Sequence, residues 1–276
     1  MHNTSDWVFI PSPSPARKVR LFCFPHAGGG ASFFQPWTKI LPPWIELCAV
    51  QLPGRETRLK ERPMEDLCPL VGAAVDALSP LLGEPYALFG HSMGSLLAFE
   101  LALELRRRRL RAPAHLFVSG RHAAHIHKPE QFIRHLPEPA FLHEVITRYN
   151  GIPQAILGEP ELLRLIVPLL RADIGMLEKY VPTPSDPLDV PISAFTGLDD
   201  KSVQYEDLAA WRKHTRAAFR MELLPGDHFY VQTSREALIR SLVRDLSSIN
   251  DESHAAVNGN VALRPAMMYT TKTHHR

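Results

Sequence analysis

The sequence predicts an α/β chain: a mostly parallel central sheet flanked by helices, with a helical insertion between two of its later strands. Three observations predict it. Apolar runs of five or six residues alternate with stretches of helical periodicity. Gly90-His91-Ser92-Met93-Gly94 joins one such run, Tyr86-Ala87-Leu88-Phe89, to a helix-like run from Ser95 to Ala102. From about 121 to 187 the alternation lapses, and helical patterns occur there without a strand.

Bulk properties narrow the function classes. With 276 residues, 45% of them hydrophobic, the chain suits one large domain or two small ones around a sizeable core. A formal charge of +2, with no basic stripe interleaved with aromatics, points away from nucleic acid. No apolar run reaches the roughly 18 residues needed to span a bilayer, so no membrane role is expected. Met1 to Pro15 is polar and proline-rich, unlike a secretory leader. Cys23, Cys48 and Cys68 are odd in number and widely spaced. They read as reduced core thiols of a cytoplasmic protein, not as disulfides or a zinc site.

In chain order, residues 1–18 read as an extended lead-in. Val19 to Phe24 is the first strand, and it runs into Pro25-His26-Ala27-Gly28-Gly29-Gly30. A glycine loop after a strand can cradle phosphate, but the Lys-Ser/Thr of a P-loop is missing and so is G-x-G-x-x-G. The other reading is an oxyanion loop, in which small residues let a backbone N–H approach a reacting carbonyl oxygen. Ala27 is the donor on that reading. Ser32 opens a helix. Leu47 to Leu52 is a strand closed by Pro53-Gly54-Arg55, and the spacing of Leu70, Val71, Ala74, Leu78 and Leu81 predicts a helix.

The helix after Gly94 ends in Arg106-Arg107-Arg108-Arg109. Basic residues there complement the helix dipole. They lie at the edge of the sheet opposite the strand C-termini, where ligands bind, so the cluster reads as a solvated face. His115 to Gly120 is the next strand. The insertion that follows carries helical patterns over Pro139–Tyr149 and Glu159–Tyr180 and reads as a lid. His122, His125 and His127 occur early in it, but no cysteine or carboxylate set accompanies them, so no metal is expected. Pro191 to Thr196 is a strand leading to Gly197-Leu198-Asp199-Asp200, and Glu206 to Thr215 is a helix. Phe219 to Leu224 is the last strand, followed by Pro225-Gly226-Asp227-His228, and Arg235 to Leu246 is the closing helix. The domain spans 19–249, and the polar stretch 250–276 reads as a disordered tail.

A serine hydroxyl attacks only when it is aimed and given a base. A strand turning sharply into a helix aims Ser92. The flanking glycines permit the turn, and the helix start supplies N–H groups beside it. A serine, then an acid, then a histidine each follow a strand, so all three come to one edge of the sheet. That is the triad order of the α/β-hydrolase fold. His228 is the expected base, and Asp200 or Asp199 the carboxylate that orients it. The Gly-x-x-Asp spacing from Gly197 favours Asp200. The N–H groups of Met93 and Ala27 are the expected oxyanion donors. His26 and His91 abut those donors and lie outside the last-strand loop, so neither is taken as the base. No cofactor is expected.

Phe24-Pro25-His26-Ala27-Gly28-Gly29, Leu52-Pro53-Gly54-Arg55-Glu56, Phe89-Gly90-His91-Ser92-Met93-Gly94 and Gly226-Asp227-His228-Phe229 resemble the signatures of type II thioesterases. So do Leu169-Leu170-Arg171-Ala172-Asp173 and Glu178-Lys179-Tyr180. These are the stand-alone editing enzymes of non-ribosomal peptide and polyketide synthases. The resemblance runs from about 19 to 249. It implies hydrolysis of acyl thioesters from the phosphopantetheine arm of acyl or peptidyl carrier proteins, with Ser92 as nucleophile, Asp200 as acid, His228 as base, and Met93 and Ala27 as oxyanion donors. A monomer is expected. Two departures stand out: Ala123-Ala124 where the family usually has Ala-Pro, and Gly226-Asp227-His228 where it has Gly-Gly-His. A medium-chain fatty-acyl thioesterase and a non-catalytic module that binds carrier proteins are the alternatives.

Overall fold

A computed structural model describes residues 6–126, 132–149 and 157–258. Seven strands form one sheet: β1 (Val8–Phe9), β2 (Val19–Phe24), β3 (Ile45–Val50), β4 (Tyr86–His91), β5 (His115–Ser119), β6 (Ile192–Gly197) and β7 (Phe219–Leu224). Their order is β1-β3-β2-β4-β5-β6-β7. Only β1 runs antiparallel to its neighbour, against β3. The expected extended lead-in thus holds a short strand. Two residues are too few for an alternation pattern to show in the sequence.

The helices are α1 (Leu67–Leu78), α2 (Met93–Arg107), α3 (Glu138–Tyr149), α4 (Pro160–Glu178), α5 (Tyr205–Ala209), α6 (Tyr230–Thr233) and α7 (Arg235–Asn258). Two predicted α-helices tighten. The segment Ala31–Lys39 is 3-10 throughout and contains Pro36, which cannot donate an interior helical bond. The run after α5 continues as 3-10 over Ala210–His214. The closing helix extends through Asn258, past the expected start of the tail, and residues 259–276 lie outside the described set.

Strand side chains alternate between two buried layers. Phe22, Leu88, Leu116 and Val118 pack with α1 and α2, through residues such as Leu70, Val71, Leu97 and Leu101. Ala87, Phe89, Phe117 and Phe195 face the opposite layer, built from Phe34, Trp37 and the Leu238, Leu242 and Leu246 stripe of α7. A sheet covered on both faces gives strands that are apolar throughout, which is why β3, β4 and β5 read as continuous runs. A third, smaller cluster joins α3 to α4: Ile133, Phe141, Val145, Val167, Leu170 and Ile174. Cys23 and Cys48 are buried, whereas Cys68 is exposed on α1, so one of the three expected core thiols is a surface residue.

The register fixes where the loops emerge. Phe24 pairs with Gly90, so the glycine loop after β2 and the turn after β4 leave the sheet side by side. Chain connections diverge to opposite sides of β2 here, and such a switch point opens a crevice at the strand C-termini. His91 pairs with Ser119, and Gly197 pairs with Leu224, which brings the remaining candidate loops to the same edge.

At the start of β5, His115 is buried with Nε2 2.9 Å from Ser193 Oγ, and it stacks on Phe117 at 4.2 Å. Burial pushes its pKa down to about 4, against a smaller opposing pull from Asp245. The folded value lies below the unfolded value, so the neutral ring's contribution is complete above about pH 6.5 and is lost as pH falls towards 4. Between about pH 7 and pH 5, wild type should lose about 2 kcal/mol from this group, a loss that His115→Gln lacks. Urea midpoints of the two proteins at both pH values check this.

Candidate active site

Ser92 sits between β4 and α2 with φ 56° and ψ −115°. A non-glycine residue in that region is strained, and such strain persists only where the surroundings impose it. They do so here by close approach. A Cβ on Gly90 would run into the Gly94 carbonyl, and one on Gly94 into the carbonyls of Phe24 and Pro25. The Ser92 N–H is fixed on the Ser119 carbonyl at 2.7 Å. Ser95 Oγ lies 2.8 Å from both the Gly90 and Ser119 carbonyl oxygens and accepts the Ser119 N–H, tying turn, helix and β5 together. Met93 opens α2, so its N–H has no intrahelical acceptor.

The loops after β6 and β7 meet because Gly197 is small: a Cβ there would strike the carbonyls of Gly226 and Asp227. Across that contact His228 Nδ1 lies 2.8 Å from Asp200 Oδ2, both side chains buried. Ser202 donates its N–H at 2.9 Å and its hydroxyl at 2.6 Å to Asp200 Oδ1, and Thr196 Oγ1 lies 3.2 Å from Oδ2. Burial alone would raise the Asp200 pKa. The bonds from His228 and Ser202 outweigh it and hold the carboxylate below its ordinary value. An ionised Asp200 makes Nδ1 the donor side of the imidazole and leaves Nε2 as its basic nitrogen. Asp199 is exposed, and its N–H is bound to the Gly226 carbonyl. Asp227, the departure beside the histidine, caps the next turn by accepting the Phe229 N–H at 2.8 Å.

Two other histidines crowd this region. His91 is fully buried, with Nδ1 2.9 Å from Ser119 Oγ, which in turn lies 2.6 Å from the Tyr230 hydroxyl. Burial holds it well below the usual histidine range, as it does His26, pushed down to about 3. Both rings are therefore neutral packing partners at neutral pH. They touch Phe33 and Phe229 rather than Asp200.

Ser92, His228, His26 and Ala27 line one cavity of about 140 Å³. Its walls include apolar side chains of the insertion, Val145 from α3 and Leu170, Ile174 and Leu177 from α4, together with Arg148, Tyr149 and Glu178. The glycine loop is held from behind. Asp173 of α4 and Arg55, which follows β3, are both buried and form a two-pronged ion pair, 2.9 Å at each prong. Asp173 Oδ2 also accepts the Gly28 N–H at 2.7 Å, and Arg55 Nη1 donates to the Gly29 carbonyl at 3.1 Å. The sequence reading assigned no role to Ser202, Arg55 or Asp173. Ser202 had a local signal, since a serine two residues after a carboxylate can fold back on it. Arg55 and Asp173 lie 118 positions apart, and no local pattern joins them.

Most other candidates fall outside the cavity. Arg107 and Arg108 pair with Glu104, Arg108 with Asp76, and Arg106 donates to the carbonyls of Asp186 and Pro187, as a solvated helix end would. His125 Nδ1 lies 2.8 Å from His214 Nε2. His122 lines the cavity, and His127 lies outside the described residues.

The family model of the thioesterase domain matches residues 19–246. The gramicidin S biosynthesis protein GrsT of Aneurinibacillus migulanus is 40% identical over 242 residues, covering 88% of this chain and 94% of that protein. Among solved structures, the RedJ thioesterase from the prodiginine pathway of Streptomyces coelicolor is 41% identical, with a TM-score of 0.79, over 85% of this chain and 89% of that one. The type II thioesterase BorB from the borrelidin cluster gives a TM-score of 0.81 at 33% identity, over 89% of this chain and all of that one. The family model spans β2 to β7 with the serine turn between β4 and α2, and the chain belongs to the thioesterase family, hydrolases of thioester bonds, as a type II member of the kind found in non-ribosomal peptide and polyketide biosynthesis.

Proposed function

We propose that this enzyme removes short acyl groups from the phosphopantetheine arm of carrier proteins and so clears stalled synthases. The proposal rests most on the buried Asp200–His228 pair beside the same cavity as Ser92. Ser92 Oγ attacks the thioester carbonyl while His228 takes its proton. The C–S bond breaks, and the proton passes to the departing thiolate. Water then adds to the acyl-serine by the same base, releasing free acid and Ser92. Asp200 holds the imidazole, and the N–H groups of Met93 and Ala27 carry the charge of the tetrahedral intermediates. The helices α3 and α4 act as the lid over this chemistry. The enzyme works as a cytoplasmic monomer with its thiols reduced. Among the described residues no helix is long and apolar enough to cross a membrane.

Cavity size supports the short-acyl reading. A space near 150 Å³ holds a guest of about six heavy atoms, such as benzene, and a decanoyl chain exceeds that. Acetyl-loaded and decanoyl-loaded carrier proteins should therefore differ in kcat/KM by about 10-fold or more in favour of acetyl. A decanoyl preference would make the protein a medium-chain acyl thioesterase. Failure of a fluorophosphonate to label Ser92 would make it a non-catalytic carrier-binding module.

A further inference from the structure

The wall of the acyl cavity and the support of the glycine loop belong to one helix. Leu170, Asp173, Ile174 and Leu177 recur at helical spacing on one face of α4. Leu170, Ile174 and Leu177 line the cavity, and the Leu170 side chain also fills the space where a Cβ on Gly28 would lie. Asp173, between them, reaches the loop itself.

We propose that Asp173, locked by Arg55, is a positioning residue for the oxyanion site. It holds Gly28, the residue next to Ala27, in the geometry that aims the Ala27 N–H at the reacting carbonyl oxygen. The inference rests on the thioesterase mechanism proposed above. Three contacts carry it. Gly28 sits at φ +76°, so its peptide planes are set by whatever binds them. Its N–H is taken by Asp173 Oδ2 at 2.7 Å, and the next carbonyl, Gly29, is taken by Arg55 Nη1 at 3.1 Å. The loop is thus gripped at two successive residues, Gly28 and Gly29, by two side chains that grip each other.

Stability alone gives a poor account of the pair. Arg55 is 4% exposed and Asp173 1%. Taking two charges out of water offsets most of their attraction, and apolar residues of similar volume commonly hold a fold as well. Apolar residues cannot accept an N–H or donate to a carbonyl, and that is the property the loop uses. The requirement is also two-pronged. Asp173 Oδ2 serves Gly28 and Arg55 together while Oδ1 takes the second guanidinium nitrogen, a pattern neither lysine nor asparagine reproduces.

The test compares wild type, the double variant Arg55→Met/Asp173→Leu and Asp173→Asn on acetyl-loaded carrier protein, measuring kcat, KM, the melting temperature and the affinity of a trifluoromethyl ketone. The ketone's adduct with the serine carries an oxyanion, so its affinity reads the oxyanion site directly. The double variant should melt near wild type and keep its KM, with kcat and ketone affinity both lower by about 10²-fold. A folded double variant with wild-type kcat overturns the proposal, as does a loss of kcat that ketone affinity does not share. If the double variant fails to fold, Asp173→Asn decides. It should lose about 10-fold in kcat at constant KM, since its NH₂ cannot accept the second Arg55 prong that Oδ1 takes, and wild-type kcat there overturns the proposal. Wild type that released no acid would instead refute the thioesterase mechanism.

Discussion

Ser92→Ala is expected to lower kcat on an acyl-loaded carrier protein by about 10⁴–10⁶-fold while the melting temperature stays near wild type. The expectation separates two roles of one residue. The backbone of Ser92 builds the turn: its N–H is held on Ser119 and its carbonyl accepts the Ser95 N–H at 3.0 Å. Alanine keeps both bonds and bears the same penalty at φ 56° as serine does. Only Oγ is lost, and with it the covalent route. The residual rate is what oriented water and the oxyanion donors supply. Quenched-flow release of acid, with a search for the acyl-enzyme by intact mass, checks it. Release from Ser92→Ala within about 10-fold of wild type would mean that a group other than this serine attacks.

Asp200→Asn is expected to lower kcat by about 10⁴-fold, and Asp199→Asn to leave it essentially unchanged. The two residues are adjacent, yet their surroundings differ. Asp200 is buried and receives His228, the Ser202 hydroxyl and N–H, and Thr196. Asparagine there must keep its carbonyl oxygen for the Ser202 donors, so its NH₂ faces His228 and forces the opposite tautomer. Asp199 is exposed and is tied to the fold through its N–H on Gly226, which asparagine retains. Because the Asp200 carboxylate is held below its ordinary value, its share of stability is complete above the unfolded pKa and is lost as pH falls below it. Steady-state kcat and KM for both variants decide the assignment. A larger loss at Asp199 would reverse it.

Much of the candidate site was legible because each candidate loop announces itself locally. The strands before Ser92 and Asp200 are buried along their whole length, since both faces of the sheet are covered there, whereas β7, the edge strand before His228, carries Arg220 and Glu222. The residues that end them are glycines whose missing Cβ is required by a neighbouring loop: Gly90 and Gly94 at the serine, Gly197 at the acid. The Gly-x-x-Asp spacing favoured Asp200, and the close approach at Gly197 goes with the contact between that residue and His228. Local pattern was less informative about helix type. Pro36 sits inside a run whose aromatic spacing suits a helix, and the 3-10 form that results answers to how Phe34 and Trp37 pack under the sheet. Cys68 read as a core thiol along with Cys23 and Cys48, but the α1 face it occupies points to solvent.

The sequence by itself determined the order of the strands from β2 onward and of the main helices, the serine turn, and the set of loops that reach one edge of the sheet. Those depend on periodicity, on glycine and on chain direction, which are properties of short segments. Only the tertiary structure decided which side chains meet at that edge: Ser202 on the acid, Ser119 and Tyr230 around His91, and Arg55 with Asp173 behind the glycine loop. The last pair joins a residue after β3 to one on α4. Its partners are chosen by how α4 packs against the glycine loop after β2, where a fixed carboxylate can reach Gly28 and where packing, rather than proximity along the chain, sets the distances.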